Sequence, residues 1–83
     1  MAKRAAYELI AEEPLGEWAE VFVERSGGQY WVHRRVRVAG ARCVRARVYR
    51  AEARQVEAGA LTLDELYERA VERGWGIRQY VMA

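Results

Sequence analysis

Three consecutive stretches in the middle of the chain read as strands, the first from its apolar and aromatic run and the next two from alternating apolar and polar positions. Trp18 to Arg25 carries Val21, Phe22 and Val23. Tyr30 to Ala39 carries Val32, Val36 and Val38 at even positions with Arg35 and Arg37 at odd ones, and Cys43 to Ala53 carries Val44, Ala46 and Val48 with Arg45 and Arg47 between them. A period of two is the signature of a strand with one buried face. Ser26-Gly27-Gly28-Gln29 separates the first two stretches, and Gly-Gly suits a two-residue hairpin turn whose central residues need positive φ. Gly40 marks the second turn. The three stretches therefore predict an antiparallel meander.

Register follows from the turns. A Gly27-Gly28 loop pairs Val23 with Val32, Phe22 with His33 and Glu20 with Arg35. A three-residue loop at Gly40-Ala41-Arg42 pairs Val38 with Val44, Val36 with Ala46 and Arg35 with Arg47. Val21, Val23, Val32, Val36, Val38, Val44, Ala46 and Val48 then share the core face. The opposite face carries Glu20, Phe22, Glu24, Trp31, His33, Arg35, Arg37, Arg45, Arg47 and Tyr49. Arg34 falls on the core face, where a bulge, a sheet edge or a shifted register would have to accommodate it.

The period changes to that of a helix after Leu61. Thr62 and Glu65 have the spacing of a capping box, and Leu61 and Leu66 that of a hydrophobic staple. Leu63, Leu66, Tyr67, Ala70 and Val71 form an apolar stripe, and Gly74 stops it, with Arg73 complementing the helix dipole. The expected helix is 63–73, with Asp64, Glu65, Glu68 and Glu72 outward and Glu65 spaced to pair with Arg69. Ile77 to Met82 reads as a short final strand. Residues 51–60 read as a connection holding at most a turn of helix.

The opening AKRAAYELIAEE is rich in helix formers and ends at Pro14, which favours a helix over 2–13. The competing reading is a strand from Tyr7 to Glu12. The expected fold is α+β in a single small domain spanning 1–83: a three-stranded meander, a short C-terminal strand, one amphipathic helix on the apolar face, and an N-terminal helix or extra edge strand.

Charge adds the one feature that points outward. Residues 30–54 hold eight arginines against Glu52 alone, whereas the segments on either side are acidic. Thirteen of the 14 basic residues are arginine, and asparagine is absent. Such a bias fits a GC-rich genome, and more weakly a heat-tolerant source. No apolar run is long enough to span a bilayer, and the charged N-terminus lacks a signal-peptide core, so the expected location is the cytoplasm, away from membranes. One cysteine and one histidine cannot complete a four-ligand zinc site. No phosphate loop or dinucleotide fingerprint is present, and no cofactor is expected.

The candidate site is the basic face. Arg35, Arg37, Arg45 and Arg47 are placed to contact phosphates, and Trp31, His33 and Tyr49 lie on the same expected face. Arginines beside aromatics on a sheet are the ingredients of a single-stranded nucleic-acid platform, with Trp31 and Tyr49 stacking on bases. The expectation is a non-enzymatic module that binds nucleic acid or another polyanion. Its rival is a homo-oligomer or adaptor whose arginines meet acidic surface of a copy or partner. His33 lacks a catalytic triad and is expected to be neutral among arginines. Cys43 lies ten residues from His33, too weak an arrangement for nucleophilic catalysis.

Overall fold

The computed structural model describes residues 7–83. Five strands form one antiparallel sheet in chain order: β1 (Tyr7–Pro14), β2 (Ala19–Ser26), β3 (Gln29–Val36), β4 (Arg42–Val48) and β5 (Arg78–Val81). Two helices, α1 (Arg50–Glu57) and α2 (Leu63–Arg73), connect β4 to β5. The fold is α+β, as the segregation of strand and helix patterns predicts.

The apolar half of the alternation builds the core. Val21, Val23, Val32, Ala46 and Val48 pack against Leu61, Leu63, Leu66 and Ala70 of the α2 region and against Ala53 of α1. Thr62 caps α2, with its hydroxyl accepting from the Glu65 N–H at 3.1 Å while Glu65 accepts from the Thr62 N–H at 3.0 Å. Gly74 ends the helix in the left-handed conformation. Glu65 is held by Thr62, and Arg69 reaches Glu52 instead (3.4 Å), so the expected Glu65–Arg69 pair does not form.

The β2–β3 register is the one predicted, residue for residue, over a turn with Gly27 and Gly28 at φ 61° and 77°. That of β3–β4 is not. Val32 faces Ala46 and His33 faces Arg45, a four-residue shift from the expected pairing. The connecting loop spans 37–41 rather than three residues, and Ala41 and Gly40 are tied down by Met82 after β5 (both bonds 3.0 Å). An even shift preserves which face each residue occupies. It does, however, remove Val38 from the core: Val38 lies in the loop, 48% exposed. Arg34 stays at the end of the core face, where its guanidinium lies over the Tyr67 ring and bonds Asp64 at 3.1 Å.

Two further expectations are corrected. From Tyr7 onward the N-terminal segment takes the strand alternative, as an edge strand reaching Pro14 rather than the favoured helix, while residues 2–6 lie outside the described residues. A bulge between Leu9 and Ala11 brings both Ile10 and Ala11 against the core, so burial and ladder pairing override helix propensity. The third stretch also stops at Val48, and α1 takes over where a strand and loose connection were expected. The α1 start is held by Glu52, whose carboxylate accepts from the Tyr49 N–H at 2.9 Å. Glu52 also accepts from Arg73 at 2.9 and 3.0 Å. This buried carboxylate ties the end of α2 to the start of α1. Burial pushes its pKa up, but Arg73 and the Tyr49 amide outweigh that and leave it below the ordinary value.

Candidate functional site

The helices cover one face of the sheet, and on the other the pairing aligns one residue from each strand in a row. Glu12, Phe22, His33, Arg45 and Arg78 succeed one another from β1 to β5. They run along a trough of about 610 Å³, whose walls also include Glu24, Arg35 and Tyr80. Its β1–β2 side is acidic and its β4–β5 side basic.

His33 forms the floor and is 6% exposed. Its Nε2 lies 2.6 Å from Glu24 Oε2 and its Nδ1 lies 2.9 Å from the Tyr80 hydroxyl. A carboxylate only accepts, which assigns the proton to Nε2. The Nδ1 lone pair then accepts from the Tyr80 O–H. Burial holds the imidazole pKa below its ordinary value, against the pull of Glu24 and with help from Arg45 and Arg35. Burial likewise pushes Tyr80 up to about 12, so the phenol keeps the proton it donates. The result is a chain of two hydrogen bonds across a neutral imidazole.

The arginines divide into two kinds. Arg35 is neutralised by Glu20, to which its Nε donates at 2.7 Å. Arg45 and Arg78 have no carboxylate partner among the described residues, yet they sit directly opposite each other across β4 and β5. Arg47 is pinned further along, its guanidinium 4.3 Å from the Trp75 ring centre and 5.5 Å from that of Trp31. Its Nε is buried with no hydrogen-bond partner among the described residues.

Of the seven residues singled out from sequence, Trp31, His33, Arg35, Arg45 and Arg47 share this face. Arg37 does not; it lies exposed in the 37–41 loop because β3 ends at Val36. Tyr49 has also left the face, since the chain turns there into α1, and it packs on Trp75 beneath Arg73. Trp31 is on the face but covered: the Arg45 guanidinium lies 4.1 Å above its ring and only 8% of it is exposed. Phe22 is similarly enclosed between His33 (ring centres 4.3 Å apart) and Arg35. The outward flat surfaces are thus guanidiniums, not aromatic rings. Cys43 is buried against the Val36 and Ala41 carbonyls and lies across the strand pair from Tyr80 without bonding to His33.

Sequence reasoning missed Arg78 and Tyr80. Alternation within Ile77–Met82 puts them on one face, but nothing local tells which strand β5 joins. Among the described residues no three His, Cys, Asp or Glu side chains are grouped to hold a metal ion, and no helix is long and apolar enough to cross a membrane. Compared with protein-family models, with curated proteins and with solved structures, the chain matches none.

Proposed function

We propose that this chain is a non-enzymatic binding module that takes single-stranded nucleic acid along the basic side of the trough. The observation that carries the reading is the Arg45–Arg78 pair. Like charges directly across a strand pair destabilise the sheet, and residues 1–6 contain no acid that could pair with them. Two adjacent phosphates would supply the missing counter-charge. Arg35 and Arg45 each lie over an aromatic ring and leave the other side of the guanidinium to the trough, and bases stack on such planes as they do on aromatics.

The test is fluorescence anisotropy of labelled single-stranded RNA and DNA across a salt series. Binding is expected to weaken linearly in log salt. Replacing Arg45 and Arg78 by glutamine is expected to lower affinity for every sequence and to reduce the salt slope by about two. Absence of binding at low salt would overturn the proposal.

A second reading, self-association or an adaptor role, is favoured by a different observation. Leu15, Trp18 and Val38 are all exposed on two loops joined by the Arg37 N–H bonding to the Trp18 carbonyl at 2.6 Å. Exposed apolar clusters of this kind anchor protein contacts.

A further inference from the structure

The trough has a polarity that a phosphate-binding surface alone does not require. Its unpaired cations, Arg45 and Arg78, lie on β4 and β5, and its carboxylates, Glu12 and Glu24, on β1 and β2. Glu24 on β2 and Arg45 on β4 stand two strand spacings apart and two residues out of step along the strands, roughly 12 Å between backbones and less once both side chains reach into the trough. That is about the reach from the phosphate of one nucleotide to the far edge of its base. Glu24 is also half-used. One oxygen takes the His33 Nε2–H at 2.6 Å, and no donor among the described residues reaches the other. The Glu24 side chain is only 14% exposed, so that free oxygen is an acceptor held in place at the trough wall, with the imidazole fixing its orientation.

Resting on the nucleic-acid reading above, we propose that the trough seats one nucleotide with its phosphate on Arg45 and Arg78 and its base edge on Glu24, and so selects bases that carry an exocyclic amine. A carboxylate accepts from the cytosine or adenine amino group. Uracil lacks that amine: its single N3–H is flanked by two carbonyl oxygens, which a carboxylate in a partly desolvated site repels. Glu12, on the same side of the trough, adds to the bias against carbonyl-rich edges. Arg35 cannot reverse it, because Glu20 already neutralises that guanidinium.

The experiment compares labelled oligocytidine, oligoadenosine and oligouridine of equal length with the wild-type chain at one salt concentration. Oligocytidine and oligoadenosine are expected to bind roughly five- to tenfold more tightly than oligouridine, the lower part of the range for one well-made base contact. Glu24→Gln is the decisive variant. Its amide oxygen still accepts from His33 Nε2–H, while its NH₂ replaces the free acceptor with a donor, so the preference is expected to fall to parity or turn toward oligouridine. Equal affinity of the wild type for all three, with Arg45→Gln and Arg78→Gln still weakening binding, overturns base selection and leaves the phosphate reading standing. A wild-type preference for cytidine and adenosine that Glu24→Gln leaves intact also overturns the assignment to Glu24. Failure to bind any of the three removes both proposals together. Thermal unfolding of the Glu24→Gln variant beside the wild type separates a changed preference from a damaged fold.

Discussion

His33 is asked to stay neutral while buried between a carboxylate and a phenol, and this has a consequence in pH. Its folded pKa lies below the ordinary 6.5, so the unfolded chain binds the proton more readily. The stabilising difference is complete above about pH 6.5 and is lost as pH falls from there through the lowered folded value. A urea midpoint that decreases between pH 7.5 and pH 5.5 is expected, and His33→Gln is expected to flatten the dependence over that window. Glu52 acts in a separate, lower window. Its folded pKa is depressed below 4.5, so its contribution holds above that value and disappears as pH falls through the depressed one. Removing the carboxylate at neutral pH (Glu52→Ala) strips Arg73 and the Tyr49 amide of their acceptor. Arg73 remains partly open to solvent, which limits the cost to about 2 kcal/mol by urea denaturation. Gly76 is constrained in another way. With φ at 64°, a Cβ there would fall 2.4 Å from Arg47 Cγ. Gly76→Ala is expected to cost more than 1 kcal/mol and to shift the Trp75 fluorescence, because Arg47 must leave its place against that ring.

Among the elements, what could be read from sequence was what local chemistry decides. The capping box, staple and glycine stop specify α2 without reference to anything distant, and Thr62→Ala is expected to lower stability by about 1 kcal/mol. The Gly27-Gly28 turn specifies β2–β3 because a two-residue loop leaves no freedom of register. Where longer-range partners decide, the reading failed in intelligible ways. The β3–β4 loop is anchored by Met82, more than forty residues away, and its length cannot be read from Gly40. β1 carries helix formers but is claimed by β2 and by the core. The start of α1 lacks a good capping side chain at Tyr49 and is made instead by Glu52, itself held by Arg73 from the far end of α2. Arg35, Arg45 and Arg47 keep their shared face, since a shift of four residues conserves the alternation, while Arg37 leaves it where β3 ends at Val36. Arg78 and Tyr80 complete the trough from a strand whose partner is a tertiary choice.

For the molecule as a whole, the sheet separates two environments. One side is a dry core under two helices; the other is a charged trough with no helix over it among the described residues. The exposed apolar cluster of Leu15, Trp18 and Val38 lies at a third place, at the loop end of β1–β2 and β3–β4. If that end mediates self-association, light scattering at rising protein concentration is expected to show a dimer that high salt does not dissolve and that Trp18→Ser abolishes. A dimer that salt does dissolve would instead implicate the arginines, and a monomer throughout would leave the apolar end without a role in self-association.

β5 is four residues long and among the described residues pairs with β4 alone, yet it supplies Arg78 and Tyr80 to the trough. One wall of the site is therefore the strand with the fewest ladder bonds to break. Short edge segments open locally at free energies well below that of global unfolding, and each opening would carry Tyr80 away from His33 and Arg78 away from Arg45. A ligand lodged between β2 and β5 would bind the closed form alone. Its presence is expected to slow amide hydrogen exchange at residues 78–81 more than in β2 or β3, whose amides are already shielded. The C-terminal strand would then behave as a hasp, its opening frequency setting how fast the trough can fill and empty.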